Sequence, residues 1–180
     1  MNLIVLCGKE NDSILRNALL PALERYGGAF YASRKQIFRV TAEEPAFFVF
    51  DCEQVPDVFW EKGILLFKNS CDGLGTLSLP PGFFSVFESH NHRAAAMLRR
   101  SHSHVATCGM STRDTLNIAS LDYGSAVLSL QRNITTLAGQ VLEPHDFKVT
   151  VCNNASPRQV LAVAMVLLLS GIDSSSGYRI

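Results

Sequence analysis

The sequence predicts an α/β domain: a mostly parallel sheet with helices on both faces, joined to a small antiparallel β-subdomain. Three observations carry this. Short, wholly apolar runs recur at 3–7, 46–50 and 63–67, as in strands covered on both faces. Segments with helical spacing alternate with such runs up to residue 109, the pattern of parallel strands joined by helical crossovers. From 113 to 152 strand-like runs follow one another with no helix between them, which reads as an antiparallel unit.

In order, Leu3–Cys7 reads as a central strand, and Asn11 to Tyr26 as a helix capped by Asn11 or Asp12. Leu15, Leu19, Leu23 and Tyr26 form the apolar face of that helix. Pro21 lies inside it and is expected to kink or shorten it. Gly27-Gly28 ends it. Residues 36–40 alternate like a half-exposed strand. The runs 46–50 and 63–68 are two more strands, the first ending at Asp51. Residues 69–82 read as a loop, unusually apolar through Leu74, Leu77 and Leu79, and are expected to meet a partner or a second subunit. Phe83 to Phe87 is a strand. Asn91 caps a helix from His92 to about Arg100, and His104 to Gly109 is the next strand. Thr115–Leu121, Ser125–Arg132 and Phe147–Cys152 read as the antiparallel strands, with turns at Gly139 and at Glu143-Pro144. The last helix starts at Pro157 after the cap Ser156 and runs to Ser170, where Gly171 ends it. It is apolar nearly all round, so it is expected to be buried.

The expected organisation is a single domain: a parallel core over 1–112, a small antiparallel sheet over 113–152, a final core helix over 153–172 and a flexible tail over 173–180. A chain of 180 residues can bury a full core unaided. Sixteen basic and sixteen acidic side chains cancel, so nothing marks a nucleic-acid partner. The low charge points to an unknown protein partner or self-association. The five cysteines (Cys7, Cys52, Cys71, Cys108, Cys152) are odd in number and form no Cys-x-x-Cys pair. They suit reduced thiols in a cytoplasmic protein. Met1-Asn2 lacks a basic leader, and the longest apolar stretch, 160–169, is about half a membrane span. No membrane association is expected.

The strand Leu3–Cys7 runs into Gly8 and a helix, where an α/β nucleotide-binding domain places its phosphate loop. The turn reads Cys7-Gly8-Lys9-Glu10-Asn11-Asp12-Ser13. It has one glycine and no Gly-Lys-Ser/Thr, and Glu10 and Asp12 would repel phosphates.

With this turn, the order of elements resembles the central, ATP-binding domain of the Mur ligase family, which joins an amino acid to a carboxylate through an acyl phosphate. Leu3–Ser13 is similar in position to that family's first strand and P-loop, and Asp51 to its magnesium-holding strand end. Glu88-Ser-His-Asn-His-Arg93, followed by a helix and then Thr107-Cys108-Gly109, resembles its Asn-Ala-Asp-Asp segment, helix and Thr-Phe-Gly strand. Asn153-Asn154-Ala155-Ser156 and the following helix resemble its last helix entry. The resemblance implies a P-loop-like fold with a degenerate nucleotide site. Gly8 and Ser13 match the phosphate loop, but Asp12 stands where its lysine would be. Glu88 and Asn91 replace its base-holding pair, and the flanking substrate domains are missing. Asp51 without phosphates to share the ion is a poor magnesium ligand.

The function expected from this resemblance is a non-catalytic or regulatory binding module, linked to cell-envelope metabolism by descent. No cofactor is expected. The alternative is a residual ATP- and magnesium-dependent carboxylate–amine ligase, or one subunit of a split enzyme. A candidate cleft comprises Gly8, Ser13, Asp51, Asn91, Ser111 and Arg113, which should share one sheet edge with Glu88.

A third possibility is a metal or thiol site. His90, His92, His102 and His104 invite zinc, yet they flank a helix about 15 Å long and should lie at its opposite ends. Cys108 sits at a strand end, where His104 or His90 would serve it as a base. Arg99, Arg100, Arg113 and Arg132 are candidates for an anion patch, against solvated arginines at element ends. Phe47, Phe48, Phe50, Phe83, Phe84 and Phe87 read as core.

Overall fold

A computed structural model of the chain describes residues 1–41, 43–72, 77–99, 101, 103–152 and 154–180. Eleven strands among the described residues form one sheet, ordered β13-β12-β9-β8-β7-β6-β5-β1-β4-β2-β3. Its parallel body comprises β1 (Asn2–Cys7), β2 (Ala29–Ser33), β4 (Phe47–Cys52), β5 (Lys62–Phe67), β6 (Gly82–Glu88) and β7 (His104–Gly109). β1 lies at its centre, in parallel register with β4 (Leu6↔Asp51) and with β5 (Leu6↔Leu66). The alternation that identified β3 (Ile37–Val40) is that of an edge strand, antiparallel to β2. β2 itself, AFYAS, escaped the sequence reading because its Gly-Gly entry resembles only a helix stop.

The two sheet faces are separate cores. Ile4 and Leu6 of β1 face α1 (Ile14–Arg25) and α3 (Pro157–Leu169). Leu3, Val5 and Cys7 face α2 (His92–Leu98) through Ala94 and Leu98. Alternate side chains of a strand point to opposite faces, so a strand apolar at every position requires a layer on each side.

Among the helices, α3 is the central one. Every residue from Val160 to Leu169 is buried, as its all-round apolar sequence predicts. Ser156 caps it in a capping box with Gln159: Ser156 N–H donates to Gln159 Oε1 at 2.7 Å, and Gln159 N–H to Ser156 Oγ at 3.4 Å. α1 begins later than expected, at Ile14, with Ser13 at its N-cap. It continues through Pro21 to Arg25. Burial of Leu19, Leu20, Ala22 and Leu23 outweighs the helix bond that proline removes. Gly28, at φ +72°, closes its end with a 2.9 Å bond from its N–H to Leu23 O.

The antiparallel strands do not form a detached layer. β8 (Leu116–Asp122) pairs parallel with β7, at Cys108↔Leu116. β9 (Ser125–Leu130) and β12 (His145–Thr150) then extend the same sheet in antiparallel fashion. A small separate antiparallel ribbon is formed by β10 (Ile134–Thr135) and β11 (Val141–Leu142). The sequence already reads this unit as an addition to the parallel sheet; alternation identifies a strand but not its neighbour, so only the meeting of β7 with β8 was not legible.

The segment 173–180, expected as a flexible tail, is tied down. Tyr178–Arg179 forms β13, parallel to β12, and Tyr178 O–H donates to Ile172 O at 2.7 Å. Its polar composition concealed two buried anchors, Tyr178 and Ile180. In the 69–82 loop, Leu77 and Leu79 pack on the chain's own α2-side core, while Leu74 lies outside the described residues. Phe47, Phe83 and Phe87 are buried, and Phe48, Phe50 and Phe84 are half-buried against the cores.

Candidate functional site

The parallel strands β1, β4, β5, β6 and β7 all point their carboxyl ends to one edge, where α/β sheets place ligands. At its centre β1 ends and the chain turns at Gly8, with φ +153°. A Cβ on Gly8 would lie 2.6 Å from Lys68 Cβ and 3.0 Å from Ser70 Oγ. The turn is therefore packed closed by the residue that follows β5. Lys68 N–H bonds to Cys7 O at 2.8 Å, extending the β1–β5 ladder by one step. Its side chain is wholly buried and its ammonium donates to Asp51 Oδ1 at 2.6 Å and to Lys9 O at 3.1 Å.

Asp51 is in turn fully engaged. Tyr31 O–H donates to its second oxygen, Oδ2, at 3.0 Å. Asn91 caps α2 as expected, accepting from Ala94 N–H at 3.0 Å, and its amide also donates to Lys68 O at 3.2 Å. Three of the candidate cleft residues, Gly8, Asp51 and Asn91, are thus brought together around Lys68. The sequence reading missed Lys68. Its one signal was a lysine directly abutting an apolar strand, which is ordinarily a solvated strand end.

The other three candidates lie apart from that cluster. Ser13 makes no capping bond, and its hydroxyl accepts from Asn17 Nδ2 at 3.4 Å. Asp12 serves the helix instead, its Oδ1 accepting from Ile14 N–H at 3.1 Å. Ser111 and Arg113 lie in the turn after β7. Buried Asp114 holds that turn by accepting from Ser111 N–H at 3.1 Å, and Arg113 O accepts from the Arg132 guanidinium at 2.7 Å.

Next to the Gly8 turn lies a cavity of about 490 Å³. Leu66 and Phe67 of β5, Val86 and Phe87 of β6 and Cys108 of β7 form its floor, and Ile14, Leu15, Leu161 and Ala162 its helical walls. The rim is polar: Asp12, Asn69, Glu88, His90 and Arg158. Glu88 organises it, accepting from Asn69 Nδ2 at 2.8 Å and pairing with Arg158 Nε at 3.1 Å. Gln159 donates to Ile14 O at 2.8 Å, tying α3 to the start of α1 across one wall. An apolar interior with a few polar groups at its mouth is the usual make-up of a small-molecule pocket. Ser13 adjoins this cavity in sequence, between Asp12 and Ile14, whereas Ser111 and Arg113 do not line it.

The histidines disperse. His90 is on the cavity rim, His92 opens α2, and His104 stacks on Phe84 with ring centroids 5.2 Å apart. His102 and Arg100 lie outside the described residues. Among the described residues, no group of three or more His, Cys, Asp or Glu side chains is placed to hold a metal ion. Cys108 is buried, its Sγ 3.7 Å from Leu161 O, and burial pushes its thiol pKa well up, reinforced by Asp114 and Glu88. No helix among the described residues is long and apolar enough to cross a membrane.

No protein-family model and no curated protein sequence matches the chain. Its fold, however, is similar to those of solved Mur ligases. One is the UDP-N-acetylmuramate:L-alanyl-gamma-D-glutamyl-meso-diaminopimelate ligase from Neisseria meningitides, with TM-score 0.63 and 11% identity over 97% of this chain and 63% of that one. Another is the murein peptide ligase from Psychrobacter arcticus 273-4, with TM-score 0.60 and 9% identity over 98% and 45%. A third is the MurF ligase from Thermotoga maritima, solved in complex with ADP, with TM-score 0.55 and 9% identity over 97% and 46%. The chain therefore has a Mur-ligase-like α/β fold, spanning between about half and under two thirds of the length of these ligases.

Proposed function

We propose that this chain is a non-catalytic or regulatory binding module built on a Mur-ligase-like ATP-binding fold, with its nucleotide site lost. The observation that carries this reading is the buried Lys68–Asp51 pair beneath the Gly8 turn. A phosphate loop needs open backbone amides, a cation aimed at phosphate and a carboxylate free for magnesium. Here the lysine comes from the end of β5 and points inward, consuming the carboxylate. Its stem stands against Gly8, and Glu10 and Asp12 add negative charge at the turn.

Binding capacity shifts to the adjacent apolar cavity, whose Glu88–Arg158 mouth would orient a polar end of a ligand. Action in the cytoplasm, on a protein partner or as a self-associating unit, and a link to cell-envelope metabolism complete the proposal. The envelope link rests on likeness of fold.

A second reading is a residual ATP-dependent carboxylate–amine ligase acting as one subunit of a split enzyme. It draws on coverage: the likeness takes in 97–98% of this chain but only 45–63% of the ligase chains.

Thermal unfolding with and without millimolar Mg-ATP separates the two. A nucleotide held at about a hundred times its dissociation constant adds about 2.7 kcal/mol, a shift of several degrees. The binding-module reading expects no shift. A shift abolished by Asp51→Asn would overturn it in favour of the ligase.

A further inference from the structure

We propose that Cys7, Cys71 and Met97 form a binding site for a soft monovalent metal ion of the copper(I) class. This goes beyond the binding-module reading and is independent of it. The three sulfurs come from three separate elements: the end of β1, the turn after β5, and α2. They converge in the α2-side core, which is otherwise built mainly from Phe, Leu, Val and Ala. Cys7 Sγ lies 4.0 Å from Cys71 Sγ, and Cys71 Sγ lies 3.8 Å from Met97 Sδ.

Each of these two separations, both measured from Cys71 Sγ, fits ligands that share one ion. Bonds of about 2.3 Å to sulfur set in a trigonal plane hold ligand sulfurs about 4.0 Å apart. The ligand set decides which metal. Two thiolates and a thioether are soft donors, which select copper(I). Zinc wants four nitrogen, sulfur or oxygen ligands, and no group of three or more His, Cys, Asp or Glu side chains is available among the described residues.

Local geometry holds the donors in place. Cys71 N–H bonds to Lys68 O at 3.1 Å, closing the turn that presents its thiol. The balance is simple. One copper(I) ion binds, two S–H bonds break, both protons leave to solvent, and no electron is transferred.

The test is transfer of copper(I) from its bicinchoninate complex to the reduced protein in the absence of oxygen. The expected result is one copper(I) taken up per chain. Even outer-shell changes cost metal sites about tenfold or more, so Cys7→Ser should weaken binding by at least that. Met97→Leu, a volume-conserving change, should weaken it several-fold while leaving the melting curve in place. Cys152→Ser, at a half-buried cysteine outside the cluster, should match the wild type. If Cys7→Ser does not fold, Met97→Leu decides the matter. The proposal is overturned if the wild type takes no copper from the complex, or if Met97→Leu takes it as tightly as the wild type.

Discussion

The Lys68 ammonium lies 2.6 Å from Asp51 Oδ1, and the two side chains are 0% and 2% exposed. Such a pair has lost its water, so each charge depends on the other and on the surrounding hydrogen bonds. Tyr31 O–H and Lys9 O supply those bonds. The pair joins the ends of β4 and β5 across β1, beneath the Gly8 turn.

Removing one partner alone should be costly. Lys68→Met or Asp51→Asn is expected to lose about 3–5 kcal/mol, because an uncompensated buried charge remains. The double replacement should recover much of that loss. Urea unfolding of the two single variants and the double variant measures this. Additive losses would show that the two charges do not depend on each other.

Gly8→Ala should also destabilise. At φ +153° a side chain is strained, and its Cβ would meet Lys68 Cβ at 2.6 Å. Overpacking of this kind costs about 1–3 kcal/mol. A Lys68→Ala background keeps Cβ, so the clash should persist there. Relief in that background would place the strain further along the lysine stem.

Stability should fall in alkali. The Cys52 thiol is pushed up to about 12 by burial and by Asp51, from an ordinary value of 9.0. Cys7 is raised by its hydrogen bond to Cys71 and by burial, and Cys108 is raised chiefly by burial. In the unfolded chain these thiols ionise near pH 9, while in the fold they keep their protons. The unfolded state then binds fewer protons, so stability decreases with rising pH. The contribution is complete below pH 9 and for Cys52 is lost progressively towards pH 12. Urea midpoints between pH 7 and 10.5 should hold steady and then drop. A rising midpoint above pH 9 would contradict the burial of these thiols.

Tyr178→Ala should lose about 3–5 kcal/mol, the usual cost of deleting a buried aromatic ring. The ring packs edge-on against Tyr26 and Phe147, with centroids 5.9 and 5.3 Å away. Hydrogen exchange should then show β13 opening together with the outer side of β12. If the variant keeps wild-type stability, the C-terminal segment is not part of the cooperative core.

A smaller effect is expected at the cavity wall. Ser156→Ala removes the acceptor for Gln159 N–H and should cost about 0.5–2 kcal/mol. The loss is readable as a lowered urea midpoint, and wild-type stability would mean the capping box is not formed in solution.

Period and composition by themselves determined much of this protein. The apolar runs of β1, β4 and β5 specified strands covered on both faces, and the unbroken apolar stretch of α3 specified a central helix. Asn91, Ser156 and Gly171 marked helix ends, because capping is local chemistry between residues close in sequence. Only the tertiary structure decided which strands are neighbours, and so that β8 is the strand that joins the antiparallel unit to β7. It alone seated Tyr178 in the core and turned Lys68 inward to Asp51. These outcomes depend on contacts between residues far apart in the chain. The 17-position separation of Asp51 and Lys68 carries no periodic signal of an ion pair that forms only when β4 and β5 are laid on either side of β1.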